Sequence, residues 1–241
     1  AVAGRHARRR KDPDAVAAMK TGARPRSRKS EPPRSPRLSR LHAPPGMAVE
    51  SWQTALRRQF GREQKFSLEN LGANAVFSEF RVVNPVSGGR YRGAIRGTGL
   101  GENYCSCPGF ATNELGTCKH IEFTLSATEK RRGGKTALVR GYRPAFSEFY
   151  LRYGAKRSVH FRPGTDCPAE LLSRARQLFD EPAGWVLPPE GFGKLDEFLA
   201  AARDGHELRA YEDALEFVAQ VRDAERRREV LDRAYPQGAR S

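Results

Sequence analysis

The sequence predicts an α+β fold: a small β-sheet followed by a helix, then a second β-hairpin, then a mostly helical C-terminal part. Two β-leaning runs joined by turn residues, a second such pair near residue 150, and several stretches with helical spacing predict this order. The chain of 241 residues is long enough for a real hydrophobic core. Its apolar content of 38% and mean hydropathy of -0.68 are low, so we expect part of its length not to fold.

The first half of the chain predicts an amphipathic helix, a hairpin, a short extended segment and a second helix. Turn chemistry separates the two strands of the hairpin, because Asn84-Pro85 stops the first strand and Ser87-Gly88-Gly89 turns the chain back. The predicted elements are the helix 49–60, the strands 77–83 and 91–96, the extended segment 103–107 and the helix 118–130.

The second half predicts a β pair followed by three helices. Gly154 lies in the turn of the pair, and Pro163-Gly164 ends its second strand. The last helix is heavily charged between residues 222 and 228, which is typical of a solvated face or a connector. The predicted elements are the strands 148–153 and 157–162 and the helices 168–179, 195–202 and 211–234.

The charge of the chain divides unevenly and suggests three regions. Residues 1–46 hold 13 Lys and Arg against 3 Asp and Glu, so they carry +10 of the net charge of +15. This segment, rich in Pro, Ser and Arg, is predicted to be a disordered basic tail. The favoured explanation of this segment is a mis-assigned start of translation upstream of Met47, which would make residues 1–46 non-native. The alternative is a basic arm that binds nucleic acid without sequence specificity. We divide the rest of the chain into 47–140, which holds the first predicted sheet and its helix, and 141–241, a β-hairpin plus helical accessory region.

Composition also excludes several classes of protein. No apolar run reaches about 18 residues and the beginning of the chain lacks a signal-like apolar stretch, so neither a membrane span nor a secretory signal is predicted. Four cysteines are too few for a disulfide scaffold, and a bridge between Cys105 and Cys107 would close a strained ring. Reduced thiols and a cytoplasmic location are therefore expected.

Four residues within sixteen positions form the strongest motif: Cys105, Cys107, Cys118 and His120. Residues two apart on a strand point to one face, about 6.5–7 Å apart, so the first two can bind one ion. Residues two apart inside a helix lie about 200° apart around its axis. The second two must therefore lie at the very start of a helix, with Thr117 as its N-cap. Three thiolates and one imidazole predict a closed tetrahedral zinc site.

Other chemistries fit the sequence less well. An iron–sulfur cluster would require four cysteines, and a redox site would require Cys-x-x-Cys. Glu102 and Glu114 are interpreted as solvated loop charges, Cys167 as a packed thiol without a ligand role, and His160 as a packed or surface histidine. The Gly-Lys-Thr sequence at 134–136 lacks the first glycine of a phosphate-binding loop, because Glu129 stands at that position. Neither a catalytic residue nor a small-molecule substrate is predicted.

The arrangement of the four ligands resembles a SWIM-type zinc finger, so 47–140 is interpreted as a SWIM-type zinc-binding domain. A longer stretch, about 50–235, resembles the N-terminal region of bacterial Swi/Snf-type helicase-like ATPases. The motifs that carry the longer resemblance are Asn84-Pro85-Val86-Ser87-Gly88, Tyr91-Arg92-Gly93-Ala94-Ile95-Arg96-Gly97, Asn103-Tyr104-Cys105-Ser106-Cys107-Pro108-Gly109-Phe110 and Leu115-Gly116-Thr117-Cys118-Lys119-His120-Ile121-Glu122-Phe123. The motor of such ATPases is absent from this chain, so their ATPase activity is not carried over.

The resemblance implies a zinc-binding accessory module that serves a nucleic-acid motor and is not itself an enzyme. DNA binding is one expectation, with stacking faces from Tyr91, Tyr104 and Phe110. Docking to a protein partner or to the motor is the other. A fragment of a DNA-dependent ATPase or helicase is the alternative identity. The basic residues expected to contact DNA are Lys119, Lys130, Arg131, Arg132, Lys135, Arg140 and Arg143.

Overall fold

Two small β-sheets, each covered by helices, form the framework of the protein. The computed structural model describes residues 37–202 and 206–234. Within them the helices are α1 (Val49–Glu63), α2 (Pro108–Ala111), α3 (Lys119–Glu129), α4 (Gly134–Arg140), α5 (Ala169–Leu178), α6 (Leu195–Ala202) and α7 (Glu212–Ala234). The strands are β1 (Ser67–Asn70), β2 (Glu79–Val83), β3 (Arg90–Ala94), β4 (Tyr104–Cys105), β5 (Ser147–Arg152), β6 (Ser158–Arg162) and β7 (Leu208–Ala210). The predicted α+β class is confirmed.

The first sheet is antiparallel throughout, with the strand order β1-β2-β3-β4. Its central strand β2 alternates as a half-buried strand should, with Phe80 and Val82 each 1% exposed. The predicted hairpin is confirmed: Asn84 caps the turn and Gly88 adopts the positive φ of 68° that closes it. The strand β1 was not predicted, because its four residues alternate between exposed and half-buried and contain a single apolar side chain.

Helices α1 and α3 cross at a glycine. Gly61 is buried, and a Cβ atom at this position would lie 2.6 Å from the backbone nitrogen of Phe123. The absent side chain therefore lets the two helix backbones approach closely. This contact fixes α1 against the helix that begins beside the cysteine and histidine motif.

The second sheet has the strand order β6-β5-β7 and is of mixed type. The predicted antiparallel pair is confirmed as β5 and β6. The strand β7 was not predicted; it lies parallel to β5, with Ser147 opposite Leu208. Three residues give too short a pattern for sequence analysis, and the partner strand lies about 60 residues earlier.

The helices that follow the second sheet cover it and complete a hydrophobic core. Phe161 lies at its centre, 5.4 Å from the ring of Phe179 and 5.5 Å, edge to face, from that of Phe198. The helices α5, α6 and α7 each bury an apolar stripe against the sheet. The predicted helices 168–179, 195–202 and 211–234 are confirmed within one residue at each boundary. The buried residues of this core include Phe149, Leu151, Val159, Leu171, Ala175, Leu195, Leu199, Ala214 and Val218.

Glu148 is the centre of a buried polar network beside β5. Its side chain is fully buried and accepts hydrogen bonds from Arg162 at 2.8 Å, from Tyr142 at 3.0 Å and from the Tyr211 hydroxyl. Burial and the Glu148 carboxylate raise the pKa of Tyr142 and of Tyr211, so both phenols stay protonated and donate. The network joins the α4–β5 connection, both strands of the hairpin and the segment before α7.

A second buried ion pair joins the first sheet to α7. Arg96, which is 3% exposed, donates two hydrogen bonds to Asp213, at 2.9 Å and 3.1 Å. The Tyr153 hydroxyl donates to the same carboxylate at 2.7 Å, and the guanidinium of Arg96 lies 3.9 Å from the ring centre of Tyr211. The two sheets are thus held together by paired charges as well as by apolar contact.

Part of the predicted tail contacts α1. The Trp52 indole donates a hydrogen bond to the carbonyl of Ser39 at 2.9 Å, and the guanidinium of Arg40 lies 4.5 Å from the centre of the Phe60 ring. The rest of the predicted tail, residues 1–36, lies outside the described residues. The contacts between Cα atoms place Arg37–Ser241 in one compact unit. The predicted boundary between two domains at residue 140 stays a prediction.

The last helix leaves the body of the protein. Every residue of α7 from Ala224 to Leu231 is exposed, as predicted for a solvated charged helix. Before that point Arg222 binds the side chain of Asp196 at 2.8 Å and so holds α7 against α6. No helix in the described part of the chain is both long enough and apolar enough to cross a bilayer.

Replacing Gly61 with alanine should destabilise the protein by about 1–3 kcal/mol, because the new methyl group overlaps the backbone of α3. Chemical unfolding measures the change. Gly193→Ala is the matched control: Gly193 is exposed, with no atom within 4 Å of the place a methyl group would occupy, and its substitution should change the free energy of unfolding by at most about 0.5 kcal/mol. A Gly61→Ala protein of unchanged stability would contradict a close helix crossing.

Glu148→Gln should cost about 3–5 kcal/mol of unfolding free energy, because it keeps the side-chain volume but leaves Arg162 without its buried carboxylate. Glu170→Gln provides the comparison, since that exposed residue pairs with Arg174 one helical turn away and should contribute at most about 0.5 kcal/mol. Equal effects of the two substitutions in urea unfolding would show that the buried pair between β5 and β6 does not stabilise the second sheet.

Candidate metal centre

Four buried side chains converge between β4, α2 and α3. Each offers one ligand atom, and these four atoms lie within 4.8 Å of one another. They are the four residues singled out in the sequence, and the side chains are between 2% and 4% exposed. The group can hold a metal ion. Its members are Cys105, Cys107, Cys118 and His120.

The first two cysteines come from a strand end and a helix start. Cys105 is the last residue of β4 and lies opposite Gly93 of β3. Cys107 is the N-cap of α2, with Pro108 at the first helical position. Of the predicted extended segment 103–107, residues 104–105 pair as a strand and Cys107 keeps extended backbone angles. The short helix that Pro108 begins was not predicted.

The second pair lies at the start of α3, as predicted. Cys118 is the N-cap with extended backbone angles, and His120 lies in the first turn of the helix. The prediction of Thr117 as the N-cap was wrong: its hydroxyl instead donates to the carboxylate of Glu122 at 2.8 Å. That bond ties the residue before the cap to the helix and so fixes the direction in which Cys118 enters the cluster.

The imidazole presents Nδ1 to the sulfurs. Nδ1 of His120 lies 3.9 Å from Sγ of Cys105 and 4.0 Å from Sγ of Cys118. A tetrahedral ion with bonds of about 2.0–2.3 Å would separate its ligand atoms by about 3.5–3.8 Å, so the spacing fits after a small contraction. Nε2 is buried and has no hydrogen-bond partner among the described residues, so Nδ1 is the ring nitrogen within reach of the sulfurs.

Two aromatic rings hold the imidazole in place. The ring of Tyr91 lies 4.5 Å and that of Phe66 5.2 Å from the ring of His120, centre to centre. Sequence analysis did not identify Phe66, because it precedes β1 by one residue and no local motif links it to a histidine 54 positions later. Apolar rings around a ligand keep water away from the ion and restrict the orientation of the imidazole.

The three thiols lie close enough to shift one another's pKa. Hydrogen bonds from Cys105 and Cys118 lower the pKa of Cys107, whereas hydrogen bonds with Cys107 and Cys118, followed by burial, raise the pKa of Cys105. A divalent cation would stabilise all three thiolates, and the donor set is thus suited to a metal ion.

The cluster lies in the hydrophobic core of the first half of the protein. Val76, Phe80, Ile95, Phe110 and Ile121 are buried around it. The cavity beside Cys105 and His120 measures only about 10 Å³, which is room for at most one water molecule. The burial of all four ligand side chains and the small volume between them favour a structural role for the centre.

The neighbouring residues bear out some predictions and correct others. Glu102 accepts a hydrogen bond from the backbone of Gly99, and Glu114 is exposed, so neither joins the cluster. The prediction of Phe110 as a stacking face was wrong, because it is 3% exposed and packs on Tyr153 with 4.6 Å between ring centres.

Cys167 and His160 lie away from the cluster. Cys167 is partly buried against the core of the second half. His160 is buried, and it is hydrogen-bonded to Ser158 and to the carbonyl of Gly184. Both are packed side chains, as expected from the sequence.

The basic side chains expected to contact DNA are exposed. None of them forms an ion pair among the residues that the structure describes, although Lys119 lies 5.9 Å from the ring centre of Phe66. They follow the surface from the start of α3 to the segment after α4. The seven are Lys119, Lys130, Arg131, Arg132, Lys135, Arg140 and Arg143.

The Gly-Lys-Thr sequence begins a helix but lacks the context of a phosphate-binding loop. Gly134 is the first residue of α4, and the element before it is the helix α3 instead of a strand. Without the strand, and without the first glycine, the backbone amides do not form the cradle that a nucleotide requires.

Comparison of the chain with protein-family models, with curated proteins and with solved structures finds no match. The geometry and the donor atoms of the centre are therefore the basis for inferring what it binds.

Cys107→Ser should abolish metal binding and unfold the first half of the protein, because an alcohol is a poor metal ligand and the cluster lies in the core. Elemental analysis and circular dichroism of the purified variant measure both effects. Cys167→Ser changes the one cysteine outside the cluster and should retain the metal and the fold. A Cys107→Ser protein that keeps its metal, or loses it and stays fully folded, would contradict a structural metal centre.

Proposed function

We propose that the four-residue cluster binds one zinc ion. Three thiolates and one imidazole form a donor set typical of structural zinc, and an iron–sulfur cluster would require a fourth cysteine in place of His120. The convergence of the four buried ligand atoms is the observation that carries this proposal. Because zinc binds reduced thiols and not disulfides, a reducing compartment such as the cytoplasm suits the protein.

The proposed role of the ion is to hold the first sheet to α3. Four protein ligands leave no coordination position for water or substrate, so the ion does not take part in catalysis. Zinc ligation supplies about 10–16 kcal/mol of apparent binding free energy in small fingers. That is larger than the whole stability of many domains, so a short sheet and helix can depend on it.

We further propose that the chain is a SWIM-type zinc-binding module that recognises DNA or a protein partner on behalf of a helicase-like ATPase. The order of strands, Cys-x-Cys and Cys-x-His at the start of a helix supports this assignment. The exposed basic side chains along α3 and α4 support a binding role. The alternative is a fragment of a DNA-dependent ATPase or helicase whose motor lies outside this chain, and in either case the chain itself is not an enzyme.

Elemental analysis of the purified full-length protein should find about one zinc ion per chain. A nucleotide-hydrolysis assay on the same sample, with and without DNA, should give no turnover above background, because neither a phosphate loop nor an open metal position is available. Turnover that disappears on Lys135→Ala would overturn the non-enzymatic assignment. Absence of zinc from a folded protein would overturn the zinc proposal.

A further inference from the structure

A groove with an excess of arginine lies between the two sheets. It has a volume of about 590 Å³ and is bounded by the loop after β1, the end of β3, the α4–β5 connection and β7. We call it the arginine groove. The lining residues on which its chemistry depends are Phe77, Arg140, Tyr142, Arg143, Phe146 and Arg209.

The charge of the arginine groove is unbalanced. Arg140 and Arg143 are exposed, and neither has an ion-pair partner in the described part of the chain. The carboxylate in the lining, Glu79, is already bound to Arg92. Two guanidinium groups are therefore free to receive an anionic partner, and their planar shape suits bidentate contact with phosphate.

Flat side chains lie beside these charges. The guanidinium of Arg209 lies 3.5 Å from the centre of the Phe146 ring, and its Nε donates to Glu207 at 2.8 Å, while the side chain is 52% exposed. Phe77 and Tyr142 form a second aromatic pair, with ring centres 5.0 Å apart. A guanidinium that is stacked on one side by a phenyl ring can present its other side to a nucleobase.

A second cavity provides a contrast. It measures about 480 Å³ and shares Arg96 and Tyr211 with the arginine groove. Its lining carries Glu79, Glu212, Asp213 and Glu216 alongside Arg92, Arg96 and Arg157, so the acidic side chains outnumber the basic ones. The positive excess is thus confined to the arginine groove and is not a general property of the cleft between the sheets.

We propose that the arginine groove binds single-stranded nucleic acid, with phosphates at Arg140 and Arg143 and a base against Arg209. This inference rests on the proposed binding role of the module and names its partner and its site. A cavity of about 590 Å³ holds about two nucleotides, whereas a duplex cannot enter it. Adjacent flat faces and phosphate-binding cations are the combination by which proteins bind single strands without regard to sequence.

The affinity test uses the zinc-loaded full-length protein and a labelled oligothymidylate of about 12 nucleotides, followed by fluorescence anisotropy. Every protein compared carries glutamine in place of the basic residues within 8–11 and 24–29, so that the tail adds no background. Arg140→Gln with Arg143→Gln should weaken binding about tenfold and make the salt dependence shallower by about 1.4 logarithmic units per decade of salt. Arg62→Gln with Lys65→Gln removes the same charge at exposed residues that do not line the groove and should change affinity less than about threefold.

Arg209→Lys separates stacking from charge, because lysine keeps the positive charge and loses the flat face. This variant should bind the oligothymidylate about fivefold more weakly and an abasic oligonucleotide of the same length unchanged. Equal losses on both oligonucleotides would overturn the stacking of a base on Arg209.

Three results would overturn the groove proposal. They are equal losses in the two double variants, tighter binding of a duplex than of a single strand, and groove-dependent binding of a polyglutamate peptide without groove-dependent binding of DNA. The zinc content of each sample is measured in parallel. A full zinc complement with no groove-dependent affinity would refute the groove alone, and a folded, zinc-free protein would refute the proposed function instead.

Discussion

Three sulfur atoms and one imidazole nitrogen meet in the interior of the first half of the molecule, where the surrounding elements are short. The strand β4 has two residues and the helix α2 has four, and neither length is stable by itself. The convergence of the four ligand atoms gives these pieces a common point of attachment. Around it Phe66 and Tyr91 enclose the imidazole, so the centre and its apolar surroundings depend on each other.

The two halves of the described structure use different means of cohesion and meet at a set of paired charges. The second half has a conventional core in which Phe161 contacts several aromatic rings. Between the halves, Arg96 reaches Asp213, with the Tyr153 hydroxyl completing the pair, and Arg162 donates to the backbone carbonyl of Arg96. Breaking the Arg96–Asp213 pair would leave a buried charge without its partner, so the contact between the halves is specific as well as favourable.

Sequence analysis found the elements whose signals are local. The helix α1, the hairpin of β2 and β3, and the ligand motif from Cys105 to His120 each depend on spacing within a few residues, and they were predicted with small boundary errors. What it missed is non-local or very short. The strand β7 has meaning only beside β5, and the arginine groove assembles side chains from the α4–β5 connection and β7, separated by about 60 residues. No periodicity could indicate that proximity.

The parallel strand β7 also determines how late in synthesis the second sheet can be completed. Until residues 208–210 leave the ribosome, the central strand β5 has one hydrogen-bonding edge without its native neighbour. Such an open edge can pair with another chain. It stays open for as long as the ribosome takes to synthesise α5 and α6. We therefore expect the nascent chain to be most prone to aggregation while the second sheet is incomplete. The hairpin of β2 and β3, in contrast, can close as soon as it is made.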